Sequence, residues 1–289
     1  MTEIWTVKKI LEWSEEYFAK QQIDSPKLTA QILLSHVLRC KRIELFLNYE
    51  QPLTSTNLKN YKELVLRRVK HEPVDYITGQ SEFMGHTFHV GQGVLIPRPE
   101  TEILAEKAIE YLKSQSVLPL VVDIGTGSGA LAVSLKKNVP ELIVWATDIS
   151  RPALDMAMQN AKENQTEINF FEGFFPEIPF LEDKSLSLLL VSNPPYIKTA
   201  EIKNLQPEVK DFEPQEALDG GPDGLEVIKL IFDLIKSLPN QLTLFMEIGY
   251  DQSSEVMDLA KKERLQEIIL IPDYQQIPRI IKVVKPHTG

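Results

Sequence analysis

The sequence predicts an α/β protein in which a parallel sheet, covered by helices on both faces, follows a small helical bundle. Three observations predict it. From about residue 100 onward, apolar strand-like runs alternate with helical stretches, the pattern of a doubly covered parallel sheet. Before residue 80, apolar side chains recur at helical spacing. Between the two parts, glycines punctuate a short β-prone stretch. At 289 residues the chain exceeds the usual size of one domain, which suits a large α/β domain with a smaller companion.

The bundle is read from Ile4, Val7 and Leu11, then from Ala30, Leu33, Leu34 and Val37, and then from Leu58, Tyr61, Leu64 and Val65. Ser25-Pro26 offers an N-cap and a first-turn proline to the second helix, and Pro73 is expected to stop the third. The basic residues Arg67, Arg68 and Lys70 at its end read as a solvated helix face, with a nucleic-acid or ribosome contact as the alternative. From Phe83 to Leu95, Gly85, Gly91 and Gly93 interrupt Phe88, Val90 and Val94, which suggests a hairpin linking two domains. The expected division is therefore 1–82 helical, 83–98 hairpin linker and 99–289 sheet domain. Strands are expected at 118–123, 142–148, 169–171, 186–192, 242–248, 268–271 and 280–284. The last two leave no room for a full helix between them and should pair as an antiparallel hairpin.

Composition excludes several classes. No apolar run approaches the ~20 residues that span a bilayer, so no membrane association is expected. The start of the chain lacks the basic flank and apolar core of a signal peptide, which points to the cytoplasm. The single cysteine, Cys40, supports neither an internal disulfide nor a multi-cysteine metal site; among Leu33, Leu34 and Val37 it reads as filler, and no metal is expected. Net charge is −10 but uneven: residues 1–82 carry 12 Lys+Arg against 11 Asp+Glu, and residues 83–289 carry 19 against 30. The larger part is a poor electrostatic footprint for a phosphate backbone, so stable nucleic-acid binding is not expected.

Two motifs carry chemistry. In the first, the apolar run Val121-Val122-Asp123-Ile124 enters Gly125-Thr126-Gly127-Ser128-Gly129-Ala130 and then a helix with Leu131, Val133 and Leu135. Glycines there allow a tight turn and remove Cβ atoms from the path of a ligand, while the helix start presents unpaired N–H groups. Asp148, at the end of the next strand, can accept hydrogen bonds from both hydroxyls of a ribose. Gly125, Gly127 and Ala130 also satisfy the dinucleotide pattern, so the loop alone leaves a nicotinamide or flavin nucleotide and S-adenosylmethionine both open. Asp123 favours the methyl donor, since its carboxylate would repel a pyrophosphate.

The second motif is Asn193-Pro194-Pro195-Tyr196, delivered by the strand Leu188-Leu189-Leu190-Val191-Ser192 to the carboxyl edge of the sheet, where ligands of open α/β sheets bind. The prolines fix φ and remove two donors, leaving carbonyl acceptors in a stiff bend. A planar NH2 group would donate one hydrogen to the Asn193 side-chain oxygen and one to the Pro194 carbonyl, with its plane on the Tyr196 ring. Amides and nucleobase amines are both eligible, so adenine-N6 methylation of nucleic acid is the alternative substrate class. The bland reading is a strand-terminating turn. No histidine stands out as a base: His36, His71, His86 and His89 are expected outside the sheet domain, and His287 lies at the tail.

These motifs combine with Glu72-Pro73-Val74-Asp75-Tyr76-Ile77-Thr78-Gly79, Val94-Leu95-Ile96-Pro97-Arg98-Pro99-Glu100-Thr101-Glu102, Phe212-Glu213-Pro214, Ala217-Leu218 and Gly224-Leu225. With them the chain closely resembles, over nearly its whole length, the PrmC/HemK family of protein-(glutamine-N5) methyltransferases, which modify the Gly-Gly-Gln glutamine of peptide-chain release factors. The resemblance implies a seven-stranded, Rossmann-like S-adenosylmethionine-dependent methyltransferase domain and an N-terminal helical domain that helps dock the release factor. It implies that Gly125, Thr126, Gly127, Ser128, Gly129, Asp148 and Asn193 contact the cofactor, and that Asn193, Pro194, Pro195 and Tyr196 hold the glutamine amide. Asn193, Pro194 and Tyr196 are the implied catalytic members. Phe174 stands where many members carry an aromatic residue near the adenine, although the usual acid before it is Gly173 here. The segment 96–102 is expected to line the cofactor pocket from the linker side, with a rigid hinge at Pro97 and Pro99 as the alternative, and 197–222 reads as a long polar loop placed to be a lid.

Overall fold

The computed structural model describes residues 4–175 and 186–286, so His287 lies outside the described residues. Contacts divide the chain into two compact units, Met1–Gln80 with Gln206–Phe212, and Ser81–Leu205 with Glu213–Gly289.

The first unit contains α1 (Val7–Lys20), α2 (Pro26–Leu38), α3 (Arg42–Leu47), α4 (Ser55–Arg68) and α5 (Val74–Thr78), which bury Phe18, Leu33, Leu34, Leu45, Tyr61 and Val65 in one core. Thr6 caps α1 by accepting from the Lys9 amide at 3.3 Å, and Thr54 with Asn57 forms a reciprocal cap on α4. Several expectations need correcting here. Ser25 sits at the N-cap of α2 but in the left-handed region (φ 47°), and it makes no side-chain cap. The helix α4 ends at Arg68, before Pro73, and Pro73 instead opens α5. Arg68 is not a solvated residue: it is 2% exposed, donates to the Glu72 carbonyl at 3.0 Å and pairs with Glu208 at 2.7 Å. Its neighbour Arg67 pairs with Glu72 at 2.5 Å, so the basic run is largely spent inside its own unit. Cys40 follows the left-handed Arg39 that ends α2 and packs, half-buried, against the core.

The second unit opens with a two-stranded sheet, β1 (Gln80–Phe83) and β2 (His86–His89). Met84 and Gly85 both take positive φ, 50° and 73°, as a two-residue hairpin turn demands. The hairpin therefore begins three residues before the expected linker, and Val90 and Val94 lie beyond it. His86 and His89 belong to this unit rather than outside it; His89 pairs with Glu163 at 2.6 Å.

There follow α6 (Pro99–Lys113), β3 (Leu120–Ile124), α7 (Ala130–Asn138), β4 (Val144–Asp148), α8 (Arg151–Glu163), β5 (Asn169–Glu172) and β6 (Leu188–Ser192). After the short α9 (Pro207–Lys210), which belongs to the first unit, come α10 (Glu226–Ser237), β7 (Leu242–Glu247), α11 (Ser253–Lys262), β8 (Gln266–Pro272) and β9 (Pro278–Lys285). The seven-stranded sheet runs β5-β4-β3-β6-β7-β9-β8, with β9 antiparallel to both neighbours and the other pairs parallel. Alternate strand residues feed one core shared with α6 and α7 and another shared with α10 and α11. Hence β3, β6 and β7 are mostly apolar and buried along their whole length, with Asp123, Ser192, Thr243 and Glu247 as their polar members. Connections leave β3 toward β4 on one side, while β6 lies on the other. That reversal opens a crevice at the carboxyl edge of β3 and β6, where both chemical motifs sit.

The stretch 197–222 is more structured than a plain loop. It holds a 3-10 turn at Thr199–Asn204, the helix α9 and a second 3-10 turn at Gln215–Ala217. An isolated bridge joins Ile197 to Asp219.

Candidate active site

A cavity of about 690 Å³ lies at this edge, formed wholly by residues of the second unit. Its volume falls in the range of ~300–1,000 Å³ typical of small-molecule sites. The glycine loop forms one side. Gly125 and Gly127 hold φ of 72° and 56°, and a Cβ on either would meet no protein atom within 4 Å, so the backbone is open to a ligand. Thr126 and Ser128 line the same cavity; Gly129 does not, because it packs instead against Ala157 of α8.

Two carboxylates brace the loop. Asp123, 1% exposed, accepts from the Thr126 hydroxyl at 2.6 Å and from the Ala132 amide at 3.2 Å. Burial pushes its carboxyl up to about 7, against those hydrogen bonds. It shapes the turn from within. Asp148 accepts from the Gly127 and Ser150 amides, each at 2.9 Å, through different oxygens. Burial raises this carboxyl too, opposed by the two amides, and the charge of Glu216 adds to the rise. Each Asp148 oxygen keeps a further lone pair for a hydroxyl. Phe174 lines the cavity together with Asp148 and Ile149, with Gly173 before it.

Asn193, Pro194 and Pro195 form another part of the wall, beside Thr101 from the first turn of α6. The Asn193 side-chain NH2 donates to the Thr101 oxygen at 3.0 Å. Its Oδ1 accepts nothing from the described residues and is left for a ligand. The Thr101 hydroxyl donates to Glu247 Oε2 at 2.7 Å, and the Tyr196 hydroxyl donates to Glu247 Oε1 at 3.0 Å. Glu247 is the last residue of β7 and 0% exposed. Burial raises its carboxyl; the bonds from Thr101 and Tyr196 and the charge of Arg279 work against the rise, and Glu100 adds to it.

Tyr196 departs from the expected placement. Its half-buried ring does not line the cavity but packs against the apolar cluster of β6, β7 and α10, with its hydroxyl tied to Glu247. Burial, then the Glu247 charge, raises the phenol far above its ordinary range, so it remains a donor. Behind the tetrapeptide, buried Gln252 donates to the carbonyls of Tyr196 (2.9 Å) and Gly224 (3.0 Å) and accepts from the Gly249 amide (2.9 Å). On the cofactor side, Asn160, 0% exposed, bonds the Ser128 carbonyl at 2.8 Å and both backbone groups of His89. Two of the segments flanking the cavity are also joined: buried Glu213 accepts from Arg98 and from the Ile96 amide.

The structure thus brings Gly125–Ser128, Asp148, Phe174 and Asn193–Pro195 to one cavity, and it sets Gly129 and Tyr196 behind its wall. Asn160, Glu247 and Gln252 were missed as site residues, and Thr101 was foreseen only as part of the 96–102 segment expected to line the pocket. Glu247 had a signal, an acid within the largely apolar stretch 242–248, since buried acids are rare unless paired. Among the described residues no cluster of His, Cys, Asp and Glu could hold a metal ion, and no helix is long and apolar enough to cross a membrane.

Comparison with known proteins follows the same division. The sequence model of the PrmC N-terminal domain matches residues 9–79, and that of the methyltransferase small domain matches residues 101–208. With the seven-stranded sheet, the open glycine loop and Asp148, the second unit is an S-adenosylmethionine-dependent methyltransferase domain. The crystal structure of a release factor-specific protein-(glutamine-N5) methyltransferase from Alicyclobacillus acidocaldarius is 28% identical and covers 69% of this chain and 99% of that one, with a TM-score of 0.40. A release factor glutamine methyltransferase of Geobacter sulfurreducens is 37% identical over 283 residues, 96% of each chain. One of Rhodopirellula baltica is 37% identical over 293 residues, 97% of each chain. At such identity over nearly full length, the chain belongs to the release factor glutamine methyltransferase family.

Proposed function

We propose that the chain transfers a methyl group from S-adenosylmethionine to the side-chain amide nitrogen (N5) of the glutamine in the Gly-Gly-Gln motif of peptide-chain release factors. The observation that carries this reading is the acceptor on Asn193: its NH2 is held by Thr101, so its Oδ1 is offered to the cavity that the glycine loop also lines. Bound S-adenosylmethionine supplies an electrophilic sulfonium methyl. Gly125–Ser128 and Asp148 would hold it, with Phe174 against its apolar part and Asn193 at the junction with the substrate.

An amide nitrogen is a poor nucleophile because its lone pair is delocalised into the carbonyl. Asn193 Oδ1 and the Pro194 carbonyl accept its two hydrogens, fix its plane and favour the positive charge that develops on nitrogen as the N–C bond forms and the C–S bond breaks. The methylated amide then releases one proton to bulk water. No base is needed before transfer. Pro195 stiffens the bend, and Tyr196 acts by holding Glu247 rather than by contact with the amide.

The helical residues 1–82 are assigned to docking the release factor; exposed Ile43, Phe46 and Leu47 of α3 offer apolar contact. The work is cytoplasmic and involves no stable nucleic-acid complex, in keeping with 19 Lys+Arg against 30 Asp+Glu in residues 83–289. Adenine-N6 methylation finds no support among relatives at this identity. The test is incubation with methyl-labelled S-adenosylmethionine and a release factor. Label is expected on the motif glutamine and is expected to vanish in the Gln→Ala factor; label that survives that substitution overturns the reading.

A further inference from the structure

A side-chain amide and a carboxylate have nearly the same shape, so a site that takes glutamine must reject glutamate by hydrogen-bond polarity and charge. Asn193 faces the same ambiguity. Its amide can offer the cavity either an acceptor, Oδ1, or a donor, Nδ2, by turning over about χ2. Only the first suits an incoming NH2. The second suits a carboxylate.

The groups behind Asn193 decide between them. Glu247 as a carboxylate has only acceptors, and both its oxygens are occupied, by the Thr101 and Tyr196 hydroxyls. The Thr101 proton is therefore committed to Glu247, and the Thr101 oxygen can only accept. It accepts from Asn193 Nδ2 at 3.0 Å, which turns Oδ1 to the cavity. Reversing the amide would set Oδ1 against an oxygen with no proton to give. The chain of bonds is closed and buried: Thr101 is 6% exposed and Glu247 0%. Burial works against the carboxylate form of Glu247 and Glu100 adds to that, while the hydrogen bonds from Thr101 and Tyr196 and the positive charge of Arg279 favour it; Tyr196 remains a neutral donor.

We propose that Thr101 and Glu247 are specificity-determining positioning residues: through the Thr101 hydroxyl, the Glu247 carboxylate fixes which face of the Asn193 amide meets the substrate and so selects a side-chain amide over a carboxylate. The inference rests on the reading of Asn193 as the acceptor of the substrate NH2. Neither residue needs to touch the reacting atoms. Each acts on the direction of one hydrogen bond.

The experiment compares full-length Thr101→Val, Thr101→Ser and Glu247→Gln with the unmodified enzyme. The readouts are KM and kcat for the Gly-Gly-Gln release factor, the inhibition constant of the same factor carrying Gly-Gly-Glu, and calorimetric affinity for S-adenosylmethionine. Valine matches threonine in shape but neither accepts nor donates, so Asn193 is free to turn over. Thr101→Val is expected to lower the ratio of the Gly-Gly-Glu inhibition constant to the Gly-Gly-Gln KM by about tenfold or more, because a polar site discriminates chiefly through groups left unpaired. Cofactor affinity should hold. Thr101→Ser, which keeps the hydroxyl, should retain the discrimination, and Glu247→Gln, whose amide can donate to Thr101, should lose it. A general loosening of the site would weaken both factors and leave the ratio unchanged, and that result overturns the inference. So does a serine variant as indiscriminate as the valine one. If Asn193→Ala abolishes transfer while Thr101→Val keeps the ratio, only this inference falls; if the unmodified enzyme does not label the Gly-Gly-Gln factor, the function itself falls.

Discussion

Asp123→Asn separates the carboxylate's role as a brace from the cost of burying its charge. Asp123 is 1% exposed, and one oxygen, Oδ2, accepts both the Thr126 hydroxyl and the Ala132 amide. An asparagine Oδ1 in that place keeps both bonds. In the unfolded chain the carboxyl ionises at its ordinary 3.8, and in the folded one at about 7. Between those values the folded state holds a proton that the unfolded state has released, so stability falls as pH rises through the window and levels off above about 7. At ~1.4 kcal/mol per pH unit, the whole window amounts to about 4 kcal/mol, of which about 2 lie above pH 5.5. Asp148 and Glu247 are raised as well and add slopes of the same sign, but the substitution leaves them in place, so the difference between the two proteins isolates Asp123. Urea unfolding at about pH 5.5 and pH 8 should therefore show the stability difference moving in favour of Asp123→Asn by ~2 kcal/mol between the two conditions. An equal difference at both pH values refutes the reasoning.

Two glycines of one loop should fail in different ways. Both hold left-handed φ, which costs ~1–2 kcal/mol in any other L-residue, but a Gly129 Cβ would sit 3.0 Å from Ala157 Cβ while a Gly127 Cβ stands in open space on the cavity side. Gly129→Ala should lower Tm more, and Gly127→Ala should weaken cofactor binding more, as thermal melts and calorimetry would read. Gln252→Ala removes three bonds that tie Tyr196, Gly224 and Gly249; a loss of ~2–3 kcal/mol in urea unfolding is expected, with a raised KM for the release factor. No loss of stability would mean that these loops hold without it.

The sheet was legible because its strands are buried on both faces. Leu188–Val191 is an unbroken apolar run and Leu242–Met246 is interrupted only by Thr243; both are bounded by polar or turn residues, and no helix period competes with them. Strand starts were placed two residues too early at Leu118, Leu142 and Leu186; at Leu118 and Leu142 this is because apolar packing begins before the hydrogen-bond ladder does. The glycine loop and Asn193–Tyr196 were legible for a different reason, that each concentrates its chemistry in consecutive residues.

What stayed hidden depends on distant pairs. Glu247 gains its role from Thr101, 146 residues away in sequence, and from Tyr196, 51 away. Arg68 reads as a surface cation until Glu208, 140 residues on, neutralises it. Ser25 carries the right side chain for a cap but adopts a left-handed backbone that no single residue type announces. Tyr196 read as a stacking surface because its ring was considered alone; the buried carboxylate that holds its hydroxyl turns it into a strut.

The central claim is that Asn193 presents an acceptor that captures a substrate NH2. Asn193→Ala keeps the backbone bend of Pro194 and Pro195 and leaves Gly125–Ser128 and Asp148 untouched. Single-turnover methyl transfer to the Gly-Gly-Gln release factor should fall by about 10²–10³, while S-adenosylmethionine measured by calorimetry binds nearly as before. Transfer that persists in Asn193→Ala at the unmodified rate would contradict the account.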